Sequence, residues 1–364
     1  MTGNSRAPRA APLRVALIAS ARFPVREPFA GGLEAHTWTL AKALTERGHH
    51  VALFAAPGSD PSLGLRELPV CRPVLTEDAR ADVSMPSESW MAEHHAYLRL
   101  MLDLARDGER RFDVVHNNSL HHLPVAMAPA LRLPVVTTLH TPPTPWLESA
   151  VQSQDHCPVT FTAVSAHTAK AWHATVPAAR VVRNGVDTRR WSVGPGGPHL
   201  VWSGRIVPEK GPHLAAEAAR KAGLPLRMAG PVGDRRYFAD RLAPLLGDGV
   251  EYVGHLGRDD LARLVGGAAA ALVTPCWDEP YGLVVAEALA CGTPVCGFDR
   301  GALGEILTPD CGRLAPADDA AVLADLVHET VRLDRRAARE RAERFCSLDT
   351  MTDGYTALYE ELAA

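Results

Sequence analysis

Short apolar runs alternate with amphipathic stretches along this chain, halt at a Gly/Pro-rich segment, and then resume. Leu13–Ala19 reads as a strand, Leu33–Arg47 as a helix stopped by Gly48, and His50–Ala55 as the next strand, followed by the turn residues Pro57-Gly58. Phe112–His116, Pro134–Leu139 and Thr160–Val164 are further strands, each followed by helical or turn sequence. Such alternation predicts right-handed βαβ units and a parallel sheet. Ser192–His199, with its Gly-Pro-Gly-Gly-Pro core, reads as a linker. Strands then recur at His199–Ser203, Leu226–Ala229, Glu251–Val253, Ala270–Thr274 and Pro294–Phe298. Helices over Pro212–Ala222, Arg235–Leu246, Leu261–Gly267 and Gly282–Ala290 lie between them, and Asp318–Ala364 reads as helices. The fold class is therefore α/β: two doubly wound domains with a hinge near residues 185–198. Ligands bind such sheets at their C-terminal strand ends, so two facing sheets make a cleft that can close on a ligand.

The 364 residues, 46% hydrophobic and 22% charged, supply two ordinary cores. A formal charge of -4 argues against a dedicated nucleic-acid binder. The seven cysteines are scattered without a C-x-x-C pair, which predicts reduced thiols, with Cys291 and Cys296 as buried bystanders. Met1–Pro12 carries Arg6 and Arg9 but no apolar signal core. No stretch approaches the roughly 20 apolar residues of a membrane span. The expectation is a cytoplasmic protein whose membrane contact is at most peripheral.

Four segments carry chemistry. The first is Trp277-Asp-Glu279-Pro-Tyr281-Gly282-Leu283-Val-Val-Ala-Glu287, a loop between a strand and a helix. Free N–H groups at the helix start, Gly282 and Leu283, suit a phosphate. Glu279 can project into the cleft and accept hydrogen bonds from sugar hydroxyls, while Glu287 lies on the helix, facing in or out. From spacing alone a loop charge and a solvated helix residue fit equally well. The second is Ser203-Gly204-Arg205-Ile-Val-Pro208-Glu209-Lys210-Gly211, whose two cations share one cleft edge and can neutralise a leaving diphosphate without metal. The third is Gly31-Gly32-Leu33-Glu34-Ala-His36, where paired glycines permit close backbone approach to a ligand or form a simple turn. The fourth is His140, just past a strand in Val135–Pro143. His116, His121 and His122 read as structural or acceptor-side groups rather than metal ligands. Ser89–Arg106 is an apolar-striped helix, expected in the core or as a cleft lid.

In this order, these segments resemble the family 4 glycosyltransferases of GT-B fold, from about Leu13 to Tyr359. Glu279, seven intervening residues and Glu287 fit the family hallmark. The Gly204–Gly211 loop, Gly31-Gly32, Asn184-Gly185-Val186-Asp187 and Ala288–Val295 fit as well. The resemblance implies two Rossmann-like domains, residues 1–190 for the acceptor and 191–346 for the nucleotide-sugar, with residues 347–364 a helix crossing back to the first. It implies catalytic roles for Glu279, Arg205, Lys210 and His140. Gly31, Gly32, Tyr281, Gly282, Leu283, Glu287, His255 and Leu256 would bind the donor, with Glu279 on the sugar and Glu287 on the ribose. His36 and His116 would lie on the acceptor side. The implied activity is retaining, metal-independent transfer of a hexose from a nucleotide-diphosphate sugar to a hydroxyl of a small molecule, glycan or lipid-linked acceptor. UDP-hexose is the favoured donor and GDP-mannose the second, with no cofactor and no nucleic-acid partner. The alternatives are a sugar phosphorylase or UDP-sugar epimerase on the same scaffold, or a silent nucleotide-sugar-binding module.

Overall fold

The computed structural model describes residues 11–364, so Arg6 and Arg9 lie outside the described residues. The first sheet contains β1 (Arg14–Ile18), β2 (His50–Ala55), β3 (Leu65–Glu67), β4 (Val114–Asn117), β5 (Val135–Leu139), β6 (Val159–Ala163) and β7 (Arg180–Val181). The second contains β8 (Leu200–Ser203), β9 (Leu226–Ala229), β10 (Val250–Gly254), β11 (Ala270–Val273), β12 (Val295–Phe298) and β13 (Gly312–Ala315). The spatial orders are β3-β2-β1-β4-β5-β6-β7 and β10-β9-β8-β11-β12-β13. All pairings within these sheets are parallel, for example Val15 against both Val51 and Val114. Parallel strands covered on both faces are mostly apolar, and Val15–Ile18 is fully buried.

Each sheet starts in its middle, winds outward to one edge, and then returns to wind the other way. The reversal falls between β1 and β4 in the first sheet and between β8 and β11 in the second. Chains leaving these neighbouring strands diverge, and the crevice left between them is where such folds bind ligands.

The short edge strands β3, β7 and β13 escape the sequence reading because Leu-Arg-Glu, Arg-Val and Gly-Arg-Leu-Ala carry little apolar signal. The expected helix Arg235–Leu246 is instead a short turn, a π-helical turn over Phe238–Leu242, and a 3-10 turn at Ala243–Leu245. Pro244, which lacks an N–H and crowds the preceding turn, accounts for the break. The helix Glu88–Arg111 packs Ala92, Ala96, Tyr97, Leu100, Met101 and Leu104 into the first core, which makes it core rather than lid.

The chain's last helix, Leu348–Ala363, is capped by Ser347 and lies on the first domain. Leu348, Met351, Tyr355, Leu358 and Tyr359 join the core formed by β1, β2 and the helix Gly32–Glu46. A buried polar chain fixes it there. Tyr359 Oη meets His116 Nδ1 at 2.6 Å, His116 Nε2 meets Thr138 Oγ1 at 2.7 Å, and Thr138 meets Tyr355 Oη at 3.0 Å. All seven cysteines are free thiols, and Cys291 and Cys296 are buried. Among the described residues no helix is long and apolar enough to cross a membrane.

Candidate active site

Both reversal points open onto one cleft lined from both domains. The second domain supplies its charges. After β8 the chain turns through Gly204 and Arg205 to Lys210, and after β11 it runs through Trp277 and Glu279 into the helix Leu283–Ala290. Lys210 Nζ reaches Glu279 Oε2 at 2.5 Å, and Trp277 Nε1 donates to the same oxygen at 3.0 Å. Lys210 also sits over the Trp277 ring, 5.1 Å from its centroid. The carboxylate is thus held by a cation and an indole N–H, and the cation by the same indole's face.

The backbone beneath is equally fixed. Gly301 has φ +63, and a Cβ there would lie 2.1 Å from Glu279 O and 2.3 Å from Glu279 N. Only glycine allows this approach, which lets Ala302 N donate to Glu279 O at 2.8 Å. From the other domain, Ser165 Oγ and Thr168 Oγ1 donate to Pro280 O at 2.6 and 3.1 Å. Gly282, at φ +94, then starts the helix, whose first N–H groups have no partner within it. Gly282, Leu283 and Val284 line the cleft beside Lys210 and Arg205.

Glu287 faces in, not out, and lines the cleft further along this helix. Burial pushes its carboxyl up to about 7, and the guanidinium of Arg258 opposes that rise. Arg258 belongs to the helix Arg258–Gly266. Its side chain, 9% exposed, spans the cleft to pair with Glu27 at 3.4 Å. It lies over Phe29 and Trp38 at 5.0 and 4.6 Å. His255 Nε2 contacts Phe29 O at 3.1 Å, and His255 and Leu256 line the cleft.

The first domain supplies close approach, and of its cleft residues Arg22 and Glu34 carry ionisable groups of opposite sign. A Cβ on Gly31 would lie 3.3 Å from Glu34 Oε2 and 3.7 Å from Arg205 Nε, and one on Gly32 would lie 3.2 Å from Leu283 Cδ1. The glycine pair lets the first domain's backbone lie close to Arg205 and to the helix start at Leu283. Glu34 is buried, which raises its carboxyl pKa against the pull of Arg205. His140 lines the cleft with Nε2 at 2.8 Å from Asn118 Oδ1. Burial holds its imidazole well below the usual range, so the ring is neutral.

The comparisons with known proteins converge. The profile described as Glycosyltransferase Family 4 matches residues 30–190, and that described as Glycosyl transferases group 1 matches residues 188–345. Glycogen synthase of Mycobacterium tuberculosis is 29% identical over 358 residues, covering 86% of this chain and 85% of its own. The phosphatidyl-myo-inositol mannosyltransferase of Mycobacterium leprae is 29% identical over 365 residues, covering 90% of each chain. The crystal structure of HepE from Anabaena in complex with UDP-glucose aligns with TM-score 0.75 at 16% identity, covering 96% of this chain and 100% of that one. The chain belongs to glycosyltransferase family 4.

As a family 4 glycosyltransferase with the GT-B fold, the enzyme gathers Arg205, Lys210, Glu279, Glu287, His140, Gly31, Gly32, Gly282, Leu283, His255 and Leu256 around one cleft. Three expected residues sit elsewhere or differently. His116 is fully buried and serves the last helix, so it does not reach the acceptor side of the cleft. His36 is buried behind His140, with ring centroids 4.9 Å apart, and burial lowers it to about 4. The side chain of Tyr281 points into the second core and is 3% exposed, which leaves its backbone for the cleft. Sequence reasoning misses Arg258, Gly301, Ser165 and Thr168. Gly301 had a readable signal, since Asp-Arg-Gly follows an apolar strand. The rest act across the domain boundary, where local pattern carries no information. Among the described residues no group of three or more His, Cys, Asp or Glu is placed to hold a metal ion.

Proposed function

We propose that this glycosyltransferase moves a hexose from a UDP-hexose to an acceptor hydroxyl, with retention of configuration and without a metal. The observation that carries this reading is the juxtaposition of Lys210, Arg205 and the Gly282–Leu283 helix start on one side of Glu279. Two cations and a helix N-terminus form a receptor for a diphosphate, and a carboxylate beside it suits a sugar hydroxyl.

Lys210 and Glu279 pair with each other in the cleft. Donor entry reassigns both, Lys210 to phosphate oxygen and Glu279 to a sugar hydroxyl. Arg205 and Lys210 then stabilise the charge that grows as the anomeric carbon–oxygen bond breaks. The acceptor oxygen bonds to the anomeric carbon on the same face, and its proton passes to the departing phosphate oxygen. Glu287 receives the ribose hydroxyls, and neutral His140 lies beside the sugar ring. The protein's contribution is position and charge. The UDP preference draws on HepE, crystallised with UDP-glucose, and GDP-mannose stands second. Free thiols fit a cytoplasmic setting.

The test is incubation with a panel of UDP- and GDP-hexoses, reading slow donor hydrolysis and the anomeric configuration of the product. Cleavage of a UDP-hexose with retention is expected. A donor bound but never cleaved with any acceptor would make the protein a binding module. Sugar 1-phosphate formed from free phosphate would make it a phosphorylase.

A further inference from the structure

Beyond the donor site, the first domain carries a ledge of aromatic rings that the proposed reaction does not use. The helix Glu88–Arg111, the loop after β4 and the start of the helix Pro145–Gln152 bring them together. Tyr97 stacks on His121 at 4.4 Å, His121 on His122 at 4.4 Å, and His122 on Trp146 at 5.1 Å, with planes within 21, 21 and 25°. Trp90 stacks on His94 at 5.0 Å and 14°, and lies 5.9 Å from Trp146. The ledge runs from Tyr97 in the core to Trp90 and Trp146 at the surface, which are 37% and 59% exposed.

From this arrangement we infer that Trp90 and Trp146, backed by His94 and His122, form a subsite for a sugar ring of a saccharide acceptor. The inference rests on the transferase reading for the word acceptor, but not for the binding itself. First, the ledge follows the cleft closely along the chain: Leu120, which lines the cleft, directly precedes His121 and His122, and Thr141, which also lines it, lies five residues before Trp146. Second, the rings are unsuited to a metal. They lie face to face, so their in-plane lone pairs do not converge on a point. Third, the imidazoles disfavour charge. Burial comes first for all three, lowering His94 and His122 and bringing His121 to about 3, and neighbouring imidazoles add to it. Fourth, the rings are amphipathic. Among the described residues neither the Trp90 nor the Trp146 indole N–H has a protein partner, so each offers an apolar face with a donor at its rim. A pyranose presents the complementary pair, a C–H face edged by hydroxyls. Acyl chains would leave those donors unused.

The test is calorimetric titration of the full chain with linear glucose and mannose pentasaccharides, and with phosphatidylinositol-containing vesicles. One pentasaccharide is expected to bind, and W90A/W146A to bind it at least about tenfold more weakly. Trp146→Phe, which keeps the stacking face, should retain most of the affinity. UDP titration in the same instrument shows that the variants are folded. Saccharide binding unchanged in W90A/W146A would overturn the inference, as would vesicle binding through these tryptophans without saccharide binding, or no binding of either pentasaccharide. If the pentasaccharide binds through the ledge but no donor is ever cleaved, the subsite stands and the transferase reading falls.

Discussion

The two halves of this enzyme share one strand order and differ in what they place at the point where it reverses. In the second domain the crevice between β8 and β11 holds Arg205, Lys210, Glu279 and Glu287. In the first domain the crevice between β1 and β4 holds a glycine pair, Asn118 and the edge-to-face imidazoles of His36 and His140, kept neutral by burial. The topology fixes where a ligand sits, and the loop residues fix which part of it. The wall that carries most of the charge suits the diphosphate, and the wall of close backbone and neutral imidazoles suits the sugar and its acceptor.

The largest test of this division is removal of a charge from the second wall. Lys210→Ala and Glu279→Ala should each lower kcat about 100-fold or more, with the thermal midpoint preserved. Each leaves its partner unneutralised in the cleft, so the double variant should lose less than the product of the two single losses. Steady-state rates at saturating donor measure both. Near wild-type turnover in both single variants would break the assignment.

The next effect is on donor affinity, and Arg258 and Glu287 set its pH dependence. Glu287 ionises near pH 7, so a carboxylate able to grip ribose hydroxyls accumulates as pH rises through that value. UDP should bind about tenfold more tightly above this midpoint than below it, the difference between a charged and a neutral acceptor. Arg258→Ala removes the cation that opposes the upward shift, so the midpoint should move higher. Calorimetric UDP titrations between pH 6 and about 8.5 read both. Stability has the opposite sign. The folded carboxyl titrates above its ordinary value of 4.5, so the unfolded chain ionises first. The contribution of Glu287 to ligand-free stability therefore declines as pH climbs from that value through about 7.

A smaller effect on turnover is expected from Tyr359→Phe, which tests whether His116 belongs to the cleft. The hydroxyl is 2.6 Å from His116 Nδ1, and its loss leaves that buried nitrogen unpaired. The last helix should loosen by about 1–3 kcal/mol in chemical denaturation, while kcat stays within about twofold. A drop in kcat at unchanged stability would return His116 to the acceptor side.

These cases also show what the sequence could and could not tell. The alternation of apolar runs revealed two wound sheets, because buried parallel strands are mostly apolar. It overlooked β3, β7 and β13, whose edge positions relax that demand. It put Arg205, Lys210 and Glu279 on loops just past strands, a position set locally, but left Glu287 facing in or out, which only the packing of its helix decides. It put His116 on the acceptor side, since one residue ending a strand looks like another until the C-terminal helix packs against it. Arg258 and the Ser165–Thr168 grip on Pro280 were illegible for the same reason: their partners lie in the other domain, more than 100 residues away for the Pro280 bonds.

The smallest expected effect is none at all. Enzymes that place a divalent cation on the diphosphate use it to offset the charge of the leaving group. In the proposed reaction that charge would meet Lys210, Arg205 and the helix start at Gly282, which all line the cleft. If these groups supply the full offset, chelation has nothing to remove, and kcat in EDTA should equal kcat in added Mg²⁺ or Mn²⁺. The same comparison in Lys210→Ala sharpens the point. With one fixed cation gone, added Mn²⁺ should restore part of the lost rate, since a mobile cation can then occupy the deficit. Complete loss of wild-type activity in EDTA, regained with Mn²⁺, would mean that the charged wall is completed by a metal and that Lys210 and Arg205 carry only part of the diphosphate.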